Sequence, residues 1–151
     1  MITQNDSNVR GALIKAAQTF LTTGENTVDT DAIAWENRTS NAPESSSLWV
    51  SVFYVPNQPE SRTIGLCGRD RVTGFLQIDF NAAQGQGEQE LNAWENEGRE
   101  FFAPGNRFSL ENVSVLVTAS GMLQGRHVDN HFRRSFQVDF QADLIRKTTP
   151  N

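Results

Sequence analysis

The sequence predicts an α+β fold, a mostly antiparallel sheet of about four to six strands with two helices packed on one face. Three observations carry this. Two stretches place apolar residues at helical spacing, several runs alternate with period two, and Gly/Pro-bearing polar segments separate them. The order helix, strands, helix, strands fits one domain over residues 1–151.

Residues 8–22 put Val9, Leu13, Ala16, Ala17, Phe20 and Leu21 on one helical face, with Asp6 or Ser7 able to cap the first turn and Gly24 following the last. A short extended piece, Ala32–Trp35, comes next, and the polar SNAPESSS segment around Pro43 reads as a loop. Leu48–Val55 is the clearest strand. Its two faces, Trp49/Ser51/Phe53/Val55 and Leu48/Val50/Val52/Tyr54, are both largely apolar, which predicts a central strand covered on both sides. Pro56 and Pro59 stop it. Ser61–Leu66 and Val72–Phe80 read as a hairpin whose polar tip, CGRDR, carries Arg69 and Arg71.

A second helix is expected from about Gly87 to Phe102, burying Leu91, Trp94, Gly98 and Phe101 and exposing Glu88, Glu90, Glu95 and Glu97. Glu88 and Glu90 stand in its first turn, where a carboxylate suits the helix dipole. Pro104-Gly105 ends it. Leu110–Ala119 and Phe132–Ile145 read as two long strands, joined through a glycine-bearing loop, SGMLQGRHVD.

Composition narrows the function. A formal charge of −5 argues against a duplex-binding surface. The lone Cys67 gives no disulfide within the subunit and no cysteine metal cluster, as suits a reducing cytoplasm. No apolar run approaches the ~20 residues that span a bilayer, and the N-terminus has no secretion-signal pattern, so no membrane is expected among the partners.

Candidate chemistry is sparse. His127, Asp129 and His131 in HVDNH offer metal-ligand types, but an extended chain at that spacing separates the imidazoles by roughly 13 Å. Gly85-Gln86-Gly87 before a helix lacks the third glycine of a dinucleotide fingerprint and the P-loop lysine, and glutamates in the following turn repel phosphate. Cys67 beside Arg69 has no companion His or Asn in a nucleophile motif, and no G-x-S-x-G elbow occurs. No catalytic residue, cofactor or metal site is assigned, and the chain reads as a non-enzyme. The arginines stand out instead. Arg69 and Arg71 at one tip, and Arg126, Arg133 and Arg134 near another, suit contacts between copies of an acidic subunit; the alternative is ordinary solubilising charge.

The succession IAWEN, LWVSVFYVP, GRDRVTGFLQIDF, GQGEQELNAWENEGREFF, NRFSLENVSVLV and RRSFQVDFQADL resembles phage tail proteins of the terminator or minor-tail type, over roughly residues 8–146. Ile33–Asn37 and Gly74–Gly87 are its most specific portions. Such families are similar in fold to the lambda-type tail terminator, an α+β subunit of hexameric rings. The resemblance implies a structural virion protein that caps the tail tube at its head-proximal end. Its implied partners are further copies of itself, the tail-tube protein and a head-completion or neck protein, with assembly in the bacterial host cytoplasm. DNA would pass through the lumen without specific binding, since an acidic lining repels phosphate. The family supplies no catalytic residue to carry over. Two alternatives stand beside it, a neck connector or tail-tube subunit of similar architecture, and a small host α+β binding domain.

Overall fold

A computed structural model describes residues 6–35, 48–62, 68–83, 88–128 and 131–145. The amphipathic N-terminal stretch forms helix α1 (Asp6–Thr22), and every residue expected on its inner face is buried, together with Ala12. A 3-10 turn (Thr30–Ala32) leads into strand β1 (Ile33–Trp35). Strands β2 (Trp49–Pro56), β3 (Glu60–Ser61) and β4 (Arg69–Ala83) follow, then helix α2 (Glu88–Phe101). Strands β5 (Arg107–Leu110), β6 (Val113–Met122), β7 (Arg126–Val128) and β8 (His131–Ile145) complete the described elements.

The main path of the sheet runs β1-β2-β4-β8-β6-β5, with β3 paired to β4 and β7 to β8. The α+β class holds, but among the described residues the sheet has eight strands and is mixed, because β1 lies parallel to β2 while the other pairs are antiparallel. Its spine is the long β4–β8 pair, in register from Arg69↔Ile145 to Ala83↔His131.

Strand parity decides what is buried. Val72, Leu76, Ile78, Phe80 and Ala82 of β4 and Phe136, Val138, Phe140, Ala142 and Leu144 of β8 are all buried on one face, with Val72 opposite Ala142, Leu76 opposite Val138 and Ile78 opposite Phe136. The helices lie on that face. Phe20 of α1 packs on the rings of Trp94, Phe102 and Phe136, and Trp94 of α2 stacks on Phe80 with centroids 5.3 Å apart. Aromatic pairs at such separations add roughly 0.5–1.5 kcal/mol each beyond their buried area. Phe102, just past α2, is fully buried, while Phe101 is only half-buried.

Four sequence expectations need correction. First, β2 is fully covered on one side only: Val50, Val52 and Tyr54 face the core, whereas on the other side Ser51 is buried but Phe53 and Val55 are each 38% exposed. Second, the expected strand from Leu110 is a hairpin, β5–β6, turning at Glu111-Asn112 with Glu111 at φ 55°. Apolar positions run 108, 110 and then 113, 115, 117, and a single strand cannot change parity in that way without turning a residue over. Third, the glycine-bearing connection before β8 is largely strand. The length of β8 offers backbone partners to Ser120, Gly121 and Met122, and then to all of β7. Fourth, Arg69 and Arg71 lie inside β4 rather than at a hairpin tip, because the end of β8 pairs with them; the partner strand β3 is only two residues long.

Candidate interaction surface

The face of the sheet opposite the helices is built from the odd-numbered residues of β4 and β8 and their neighbours. It divides into three zones along the β4–β8 axis.

At one end lies a polar ladder. The Ser135 hydroxyl donates to Asp79 Oδ1, and Gln77 Nε2 donates to the same oxygen at 2.8 Å. Gln137 Nε2 donates to Asp139 Oδ1 at 2.9 Å, and Arg133 Nε donates to Asn81 Oδ1 at 2.7 Å. Asn81 Nδ2 in turn donates to the Trp49 and Asp79 carbonyls. Asp79, Asn81, Ser51 and Ser135 are all buried on this face, and Asp79, Asn81 and Ser135 meet their hydrogen-bonding needs within the ladder, which reaches the Trp49 carbonyl of β2.

Beside the ladder runs an apolar strip. Val55 and Phe75 are direct cross-strand partners, and Phe53 follows on the same face. Exposed aromatic and branched side chains set against satisfied polar groups resemble the mixed anatomy of protein–protein contacts.

The third zone, at the Arg69–Ile145 end, is basic. Arg71 Nε donates to Asp143 Oδ1 at 3.0 Å across the β4–β8 pair. That hydrogen bond holds the Asp143 carboxyl below its ordinary range, helped by the charges of Arg71, Arg62 and Arg69. The same bond raises the Arg71 guanidinium, with the Asp143 and Glu60 charges adding to it. Next to this pair a cavity of about 310 Å³ opens between β4, β8, β6 and the β5–β6 turn, with Arg69, Arg107, Ser114 and Gln141 on its walls and Leu116 and Ala142 as apolar lining.

The five arginines expected at contacts fall into two groups at opposite ends of β8. Arg69 and Arg71 share the basic zone, and Arg126 and Arg133 are cross-strand partners at the β7–β8 hairpin. Twelve strand positions, roughly 40 Å of extended chain, lie between Arg69 and the level of Arg133. Arg134 points the other way, toward α2. It reaches Asn92 Oδ1 at 3.3 Å, Glu95 at 3.6 Å and the Leu123 carbonyl at 3.3 Å, so it also ties the helix to the sheet. The sequence reading missed Arg107, whose position on an edge hairpin depends on the parity change in β5–β6.

The register separates the histidines. His127 stands opposite Phe132 and His131 opposite Val128, which places the two imidazoles on opposite faces of the hairpin. The His127 ring packs on Phe132 and the His131 ring on Trp49. Among the described residues no group of three or more His, Cys, Asp or Glu is placed to hold a metal ion. Asp129, Cys67, the SNAPESSS loop and Gly85–Gly87 lie outside the described residues. No described helix is long and apolar enough to cross a membrane.

Residues 8–138 match the family described as phage tail terminator protein. A solved protein chain is similar in fold, with a TM-score of 0.70 at 16% identity, covering 98% of this chain and 99% of that one. No curated protein matches the chain.

Proposed function

Because the chain belongs to the phage tail terminator family, whose members are structural components of the virion tail, we propose that its copies close into a ring that ends the tail tube. Six copies are the number expected from the lambda-type resemblance. The ring sits at the head-proximal end of the tail, receives the tube protein on one side and meets a head-completion or neck protein on the other. It assembles in the cytoplasm of the bacterial host, lets DNA pass through its lumen without specific binding, and catalyses nothing.

The observation that carries this reading is the sheet face bare of helices, with Phe53 and Val55 exposed beside a self-satisfied polar ladder. An exposed apolar strip on a sheet face that no described helix covers suits contact with a neighbouring subunit. Ring closure lets each contact be modest, since every subunit is held from two sides. Arg69, Arg71, Arg126, Arg133 and Arg134 are the basic groups proposed for those contacts; Arg71 and Arg134 act through positions already fixed by Asp143 and Glu95.

Electron microscopy of particles assembled without this protein tests the proposal. Over-long tubes are the expected outcome. Intact heads with normal, detached tails would assign it to the neck, and an absence of tubes would make it a tube subunit.

A further inference from the structure

We propose that the basic pocket beside Asp143 is the receptor for the exposed carboxylates at the start of α2, Glu88 and Glu90, of a second copy of this chain. The inference rests on the ring reading and specifies its contact. A ring built head to tail needs two different, complementary patches on each subunit.

The two patches exist and cannot satisfy each other within one subunit. Helix α2 lies on the helix-bearing face of the sheet, and the pocket opens beside Arg69 and Gln141 on the bare face. The helix carries five glutamates against the single Arg99, and Glu88, Glu90 and Glu100 are exposed. Arg69 and Arg107 line the pocket against the single carboxylate of Asp143, which Arg71 already engages. Arg107 Nη1 donates to Ser114 Oγ at 3.4 Å, and among the described residues no carboxylate lies within ion-pair range of it. The Arg107 guanidinium beside hydroxyl and amide groups, over the apolar Leu116 and Ala142, suits an incoming glutamate. Its carboxylate accepts from the fork of an arginine, and its methylenes cover the lining.

The test reverses the charges of each patch and then of both. Variants Arg69→Glu/Arg107→Glu and Glu88→Arg/Glu90→Arg, and their fourfold combination, are compared with wild type in two ways. Self-association of the full chain is followed by sedimentation over a range of salt, and infectious yield and virion copy number are measured when each variant complements a phage lacking the protein. Each double variant is expected to associate at least about tenfold more weakly, and the fourfold variant to recover most of that loss. Unchanged thermal unfolding confirms folding, and Arg107→Gln and Glu90→Gln, which only remove charge, should give intermediate losses. Wild-type behaviour in both double variants overturns the pocket assignment. So does loss that the fourfold variant fails to rescue, which would direct the pocket to a different partner. If wild type stays monomeric in solution and is present in the virion as a single copy, the ring reading itself fails, an outcome separate from both.

Discussion

Gly98 of α2 lies directly against the ring of Phe136 in β8: a Cβ at that position would stand 2.8 Å from both Cε2 and Cζ of the phenyl group. The contact sets how closely α2 approaches the sheet. Gly98→Ala raises local helix propensity by up to ~1 kcal/mol, but the added methyl must displace a fully buried ring. Overpacking costs typically ~1–3 kcal/mol, so net destabilisation is expected, read as a lower midpoint in denaturant at unchanged m. A more stable Gly98→Ala protein would show that α2 has slack over β8.

Phe20 holds the two helices and the sheet together, touching the rings of Trp94, Phe101, Phe102 and Phe136. Phe20→Ala leaves a cavity among aromatics that cannot collapse easily, and a loss of about 3–5 kcal/mol is expected in equilibrium unfolding. Phe20→Leu should lose distinctly less, because most of the volume is kept.

Glu97 fastens the chain after α1 to α2. Its Oε1 accepts from the Glu25 amide at 3.0 Å, and its Oε2 accepts from Asn26 Nδ2 at 3.1 Å. Glu97→Ala is expected to destabilise by roughly 1–2 kcal/mol, with Glu97→Gln closer to wild type since it keeps an acceptor. Hydrogen exchange at the Glu25 amide should quicken in the alanine variant; an unchanged rate there would remove the proposed tie.

The Arg71–Asp143 pair gives stability a signed pH dependence. The Asp143 carboxyl is held below its ordinary value, chiefly by the Arg71 hydrogen bond. Its contribution is therefore present above the unfolded carboxyl pKa of about 3.9 and is lost as pH falls through the lower folded value. Asp143→Asn should lower Tm slightly at neutral pH, and the difference should close below about pH 4 and shrink in high salt, because the pair is partly exposed. A difference that is independent of both pH and salt would mean that packing, not charge, is responsible.

The two helices were legible from sequence because an amphipathic helix records its burial locally. Val9, Leu13, Ala17 and Leu21 recur at a period that only a helix places on one face, and Leu91, Trp94 and Gly98 do the same in α2. The long alternations in β4 and β8 were legible for a similar reason. The β5–β6 hairpin left a trace in the parity slip between Leu110 and Val113, although Glu111-Asn112 lacks the glycine that usually announces a two-residue turn.

The arginines show where local reading stops. Arg69 and Arg71 follow a glycine in a polar run, CGRDR, which looks like a tip, yet residues 143 and 145, some seventy positions later in the chain, supply the strand that pairs with them. The basic pocket required Arg107, Ser114, Gln141 and Arg69 to come together from four separate strands, and nothing in their local spacing records that meeting.

By itself the sequence determined the α+β class, both helices, the alternation of the central strands and the likeness to tail terminators, because each is written in local periodicity or in the order of segments along the chain. Only the tertiary structure decided that the helices cover one face of the sheet and leave Phe53 and Val55 open on the other. It also decided that Arg71 is tied to Asp143, and that Arg107 lines a pocket facing away from the acidic helix α2. Those outcomes depend on which distant strand supplies the other half of each backbone ladder, and a one-residue change of register would turn every one of them to the opposite face.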